Sequence, residues 1–301
     1  MSKIKVYIAV CTAMLLFGMS FVWTTDLVGA IPPFPPQSLS MFRMCIGSAV
    51  LFLFLVLTRR PLRIATADIR WFLLLALFEP FIYFLGENNG LRITQSPSIG
   101  AVILATVPVF TMLACFYVFK ERPTWTNIVG VLCTIPGVGM VMLTGDFTLQ
   151  VPLAGIGLLF VAALSTAGYA VVIRRLHHYS AITIVAYQNL VGALYFLPLV
   201  LLFERDALAA VAWSRQVVYP LTMLSVFVSG GAFVLFVTSI KYIGITQANM
   251  FSALIPIITT IAAFLMGRET MSLQQIIGIG VVIFGVILSQ KNGKRSSGKK
   301  M

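Results

Sequence analysis

Residues 105–138 read ATVPVFTMLACFYVFKERPTWTNIVGVLCTIPGV, and residues 253–286 read ALIPIITTIAAFLMGRETMSLQQIIGIGVVIFGV. The second stretch follows the first at a constant separation of 148 positions, without a gap. Pro108 meets Pro256, Glu121 meets Glu269, Gly130 meets Gly278 and Gly137 meets Gly285. Thr111 and Ala114 also have identical partners, Thr259 and Ala262. Nearly everything around these landmarks is apolar. A long period in such a chain predicts a membrane protein built from two related halves.

Composition supports the membrane. Of 301 residues, 59% are hydrophobic and 10% charged, whereas a soluble domain carries about 25% charged residues. Mean hydropathy is +0.98, so too little polar material exists to cover a water-facing surface. The net charge of +12 does not indicate nucleic acid, because the basic residues sit between apolar runs and no nucleic-acid motif accompanies them. Cys11, Cys45, Cys115 and Cys133 fall inside apolar segments without a CxxC pair, and read as small buried hydrophobes. His177 and His178 lie in a loop with no acidic or thiol cluster beside them, so no metal and no cofactor are expected.

A bilayer core needs about 20 apolar residues per helix. Ten stretches qualify, at roughly 6–28, 38–57, 71–88, 97–119, 124–143, 153–173, 180–203, 217–239, 247–266 and 272–289. The first, with only Lys3 and Lys5 before it and no small-residue cleavage site, is expected to be a retained helix rather than a cleaved signal. Prolines at 32, 33, 35 and 36, the Arg59–Arg60–Pro61 break and the Lys120–Pro123 link punctuate the first half. The expected units are a five-helix repeat at 1–146, a second at 147–290 and a basic tail at 291–301. The fold class is therefore an all-α integral membrane protein of ten transmembrane helices.

Charge gives direction. With the N-terminus inside, 16 of the 21 Lys and Arg residues fall on the cytoplasmic side. Only Arg92, Arg205, Arg215 and Arg268 fall outside, and Arg43 lies within a span. Cytoplasmic loops collect basic residues, so both termini are expected in the cytoplasm of a plasma-membrane protein. Five spans per half is an odd number. The second copy must then enter the bilayer upside down, which makes this an inverted repeat suited to alternating access.

The ten spans, the duplicated halves, and the Pro–x12–Glu arrangement ending in KER or GRE resemble the drug/metabolite transporter superfamily, in its EamA-like branch. The opening helix, AMLLFGMSFVWTTDLV, is similar as well. The resemblance covers nearly the whole chain. It implies a secondary carrier embedded in lipid, of a kind that often exports amino acids or other small metabolites. The FEPFIYFLGENNGL stretch departs from the simplest apolar third helix of that family.

Candidate site residues follow from the cost of polarity at membrane depth. Glu79 lies about eight residues into the third span, near mid-bilayer at 1.5 Å rise per residue, and Pro80 behind it removes a backbone donor. Glu79 and Tyr83 share a helical side and are expected at the substrate, with the proton as candidate coupling ion. A structural carboxylate is the alternative. Arg43 matches Glu87 in height, which predicts an Arg43–Glu87 pair or network with Asn88, acting as a gate or only as a buried pair. Gln188 and Asn189, beside Tyr187 halfway across the seventh span, offer neutral hydrogen bonds to a polar solute or to a neighbouring helix. Trp23 is either an aromatic wall at the pocket mouth or an interfacial anchor. Pro108 and Pro256 are expected to bend equivalent helices, and Glu121 and Glu269 to tie short links. No catalytic constellation and no Walker A sequence occur. The competing functional reading is a non-transporting receptor or partner-binding protein, with a sealed centre. Monomer and homodimer are equally compatible with the chain.

Overall fold

The computed structural model describes residues 3–120, 125–143, 149, 151–244, 248–249 and 251–290. Glu121, the Lys120–Pro123 link beyond Lys120, and the basic tail lie outside the described residues. All regular elements described are helices. We label the ten apolar ones α1 (Lys3–Val28), α2 (Pro36–Leu57), α3 (Thr66–Thr94), α4 (Pro97–Val118), α5 (Trp125–Met142), α6 (Leu153–Leu176), α7 (Ala181–Ala209), α8 (Arg215–Ile243), α9 (Phe251–Leu265) and α10 (Leu273–Gln290).

Seven of these, α1–α4 and α6–α8, are long and apolar enough to cross a membrane. The apolar stretches of α5, α9 and α10 have at most 17 described residues. At 1.5 Å per residue that is at most about 26 Å, short of a full bilayer core of about 30 Å. The bundle is dressed for lipid: Leu57 is 73% exposed and Phe203 76%. Polar side chains are inside instead, with Arg43, Glu87, Asn88, Gln188 and Asn189 all buried. The cysteines do not follow their expected burial. Cys11 and Cys45 are exposed and Cys133 is half-buried, because a small apolar thiol is as compatible with an outer, lipid-like face as with a core.

Glycine decides how α5 and α10 meet. A Cβ on Gly137 would stand 2.9 Å from Gly278 O, and one on Gly285 would stand 2.8 Å from Gly130 O. Gly130 matches Gly278 in the repeat and Gly137 matches Gly285, so each of these two contacts becomes the other when the copies are exchanged. The residue numbers rise on one helix as they fall on the other, so α5 and α10 run antiparallel. The same exchange joins α2 and α7: a Cβ on Gly47 would lie 3.0 Å from Asn189 Nδ2, and one on Gly192 3.5 Å from Met44 Cγ. Elsewhere α3 packs on α6 while α8 packs on α1, and α4 packs on α6 while α9 packs on α1. Every one of these contacts turns into another when the halves are exchanged.

Helix ends are closed by specific groups. Ser96 Oγ accepts from Ile99 N at 3.2 Å, and Ser180 Oγ from Thr183 N at 3.0 Å. The start of α2 is capped from far away. Glu204, 8% exposed in α7, accepts from Gln37 N at 3.1 Å, Ser38 N at 2.6 Å and Ser38 Oγ at 2.8 Å. A carboxylate at a helix N-terminus meets free N–H groups and the positive end of the helix dipole. Glu204→Ala is expected to destabilise the protein by about 2 kcal/mol. The measurement is the melting temperature of purified protein in detergent; an unchanged value would refute the cap's contribution.

Candidate functional site

The backbone of α3 breaks where its charge sits. Ile69–Ala76 and Tyr83–Thr94 are α-helical, but the Leu77–Ile82 segment between them opens into a wide turn. Glu79 has φ −144° and ψ 114°, extended backbone inside a helix. Pro80 supplies no N–H to close that turn. The matching region of α8, Met223–Ala232, also runs as a wide turn, with Gly230 and Gly231 in place of acid and proline. Irregular backbone at membrane depth is tolerated where it lies buried in protein or lines a cavity.

Here it lines one. A cavity of about 110 Å³ is bounded by Arg43, Glu79, Tyr83, Phe84 and Glu87 from the first half. Thr166, Tyr169, Phe233, Asn249 and Ser252 bound it from the second half. Phe17, Phe21 and Val107 add apolar wall. A site needs only some 10–15 Å³ to hold a water, so a small solute fits.

Arg43 is 1% exposed and Glu87 2%, but no direct ion pair joins them. Arg43 Nε instead faces Ser229 Oγ at 3.4 Å, and its guanidinium carbon lies 4.3 Å from the centre of the Phe84 ring. Arg43 Nη1 and Glu87 Oε2 are buried with no hydrogen-bond partner, as is Thr111 Oγ1 on the same cavity wall. The expected direct pair is thus absent, and each side chain lines the cavity while carrying one buried atom without a partner. An aromatic face and a serine take up part of the guanidinium without neutralising it.

The other expected residues divide by position. Gln188 stands one layer behind the cavity, accepting from Tyr169 OH at 3.4 Å. Asn189 donates to Ser229 O at 2.9 Å, and Asn88 donates to Ser40 Oγ at 2.8 Å and Pro36 O at 3.1 Å. None of these three lines the cavity; each joins helices. Trp23 lines a separate hollow of about 660 Å³ at the Val28 end of the bundle, with Gln95, Gln216 and the Asp26–Arg268 pair. That pair is bidentate, at 2.9 and 3.1 Å. Phe21 lines the central cavity and Trp23 the outer hollow. Pro108 follows an interruption of α4 after Leu104, and Pro256 sits in the first turn of the regular helix after the tight turn Phe251–Ala253. Glu269 accepts a short hydrogen bond from Ser96 Oγ, tying the end of α9 to the start of α4.

Tyr169 and Thr166 were not singled out from sequence. They sit in the apolar run AALSTAGYAVV, and their only signal is a threonine and a tyrosine three apart on one helical side. At the other end of the bundle, Asp68 accepts from Tyr179 OH at 2.8 Å and meets His178 Nε2 at 3.1 Å. No group of three metal-capable side chains occurs among the described residues.

A bundle apolar outside, with buried polar side chains around a central cavity, has the build of a membrane transporter. The chain belongs to the EamA-like transporter family, whose model matches residues 4–143 and again 153–290. It is similar to the uncharacterized transporter YoaV of Bacillus subtilis (strain 168), at 25% identity over 292 residues, covering 95% of this chain and 97% of YoaV. The uncharacterized transporter YdfC of the same organism is 28% identical over 273 residues, covering 88% and 86%. A solved crystal structure shares the fold at a TM-score of 0.72 and 17% identity, covering 96% of this chain and 97% of its own.

Proposed function

We propose that this protein is a plasma-membrane secondary transporter that moves a small polar metabolite by alternating access, through ten spans arranged as two inverted repeats. The observation that carries the reading is the central cavity, to which both halves contribute polar side chains and in which buried Arg43 and Glu87 atoms stand unsatisfied. The antiparallel α5–α10 glycine contact supports inversion, since equivalent helices of the two copies run in opposite directions. The distribution of basic residues supports cytoplasmic termini.

An asymmetry between the copies supports alternation. Thr259 Oγ1 donates to Gly18 O at 2.9 Å, closing α9 on α1 just past the middle of the bundle towards Val28. The repeat counterparts are Thr111 and Gly168. Thr111 Oγ1 has no partner and faces the cavity, while Gly168 packs against the Phe78 ring. The cavity reaches Ile240, Asn249 and Ser252, towards the proposed cytoplasmic end. Exchanging the two threonine contacts would close that end and open the other, which is the motion an inverted repeat makes available.

The ionisable side chains on the cavity wall are Glu79, Glu87 and Arg43, with tyrosines beside them. Two acids and one base leave a formal charge of −1 at membrane depth, which is costly. One proton, or one unit of positive charge on a solute, neutralises it. Proton-coupled exchange follows as the working mechanism, and the carrier exports whenever the cytoplasmic pool and the proton gradient favour that direction.

The test is efflux from vesicles of purified protein loaded with a mixture of small metabolites and read by mass spectrometry. At least one polar metabolite is expected to leave faster than from protein-free vesicles. Retention of every solute by correctly folded protein would favour the receptor reading instead.

A further inference from the structure

The spacing of charges around the cavity identifies a substrate class, provided the transport reading holds. We infer that the cavity takes a basic amino acid, a zwitterionic head with a second cationic group at the end of an apolar chain. The head belongs at Arg43 and Glu87. Both side chains are almost wholly buried, both line the cavity, and Arg43 Nη1 and Glu87 Oε2 lack partners. A carboxylate and an ammonium on one carbon satisfy those two atoms together, the first accepting from the guanidinium and the second donating to the carboxylate.

The tail belongs at Glu79. It lies eight residues before Glu87 on the same broken helix, with Tyr83 midway, and all three line the cavity. Eight residues of regular helical rise correspond to roughly 12 Å between the Cα atoms of Glu79 and Glu87. The two nitrogens of an extended lysine are roughly 7.5 Å apart from ordinary single-bond lengths. A charge-assisted bond of about 2.8 Å at each end brings the span to roughly 13 Å. The methylene chain between them would run along Tyr83 and the apolar wall of Phe17 and Val107.

Charge selects among ligands of similar length. With all three side chains ionised the wall sums to −1, and a basic amino acid carries +1. A neutral amino acid leaves a proton as the only means of neutralising Glu79. A diamine carries one positive charge too many and leaves the Arg43 nitrogen without an acceptor.

The experiment uses the full chain in vesicles with labelled lysine, norleucine and cadaverine. Norleucine lacks the distal ammonium; cadaverine lacks the carboxylate. Lysine flux is expected to exceed each of the others at least about tenfold, because a site built to bond a polar group rejects the analogue without it. Glu79→Gln is expected to remove the preference over norleucine, and Arg43→Met the preference over cadaverine. A melting-temperature rise with lysine on the wild type, absent with norleucine, gives a second readout that does not depend on either variant folding. Norleucine or cadaverine moving as fast as lysine overturns the proposal. Lysine at the protein-free rate, while another metabolite is transported, overturns it and leaves the carrier standing. No flux of any solute through folded protein overturns both.

Discussion

Glu79→Gln is expected to lower substrate flux by roughly 10- to 100-fold, the equivalent of losing one charge-assisted hydrogen bond of about 1.5–3 kcal/mol. The substitution keeps size and shape, so the Leu77–Ile82 turn and its proline should persist. What changes is charge. Glutamine can neither take up a proton nor match a cation, so residual flux should also lose its response to an imposed pH gradient. Flux in vesicles with and without that gradient measures both effects. A variant that still responds to the gradient as the wild type does would remove Glu79 from the coupling step. Because Glu79 is already buried with the helix open around it, the neutral variant should be at least as stable as the wild type. A parallel melt therefore separates a transport defect from a folding defect.

Gly86→Ala is expected to destabilise the protein by about 3 kcal/mol, at the upper end of what overpacking costs. A Cβ at Gly86 would stand 2.4 Å from Leu158 O and 2.9 Å from Ala162 N. Both are backbone atoms of α6, which cannot rotate away as a side chain would. The only relief is to move α3 from α6, and that displaces Glu79, Tyr83 and Glu87 together. The control is Gly157→Ala on α6, where nothing lies within 4 Å. There the better helix propensity of alanine should stabilise, by up to about 1 kcal/mol. Equal melting temperatures for the two variants would show that the α3–α6 approach does not require glycine.

The glycine pair illustrates what was legible beforehand. Nothing local to Gly86 marks its approach to the α6 backbone, which the structure sets within 2.4 Å of where its Cβ would stand. Arg43 and Glu87 were legible as a matched pair in depth, yet Arg43 turns to Phe84 and Ser229. Depth follows from counting residues, but rotation about the helix axis depends on packing. Gln188 and Asn189 were legible as polar groups at mid-membrane. Which way they face, into a cavity or onto a neighbour, depends on partners such as Tyr169 and Ser229, far away in the chain. Glu204 gave no local sign of capping a helix more than 160 residues distant.

The duplicated stretch, with its apolar surroundings, determined by itself that the chain is a helical membrane protein of related halves. Hydrophobic period, proline and glycine punctuation and charge placement are local properties, and they survive without knowledge of any contact. Only the tertiary structure decided which polar groups share a cavity and which satisfy one another. It placed Glu79, Arg43 and Glu87 around one space and left buried atoms of Arg43 and Glu87 unpaired. Those outcomes depend on helix rotation and close approach between helices distant in sequence, and no local pattern encodes them.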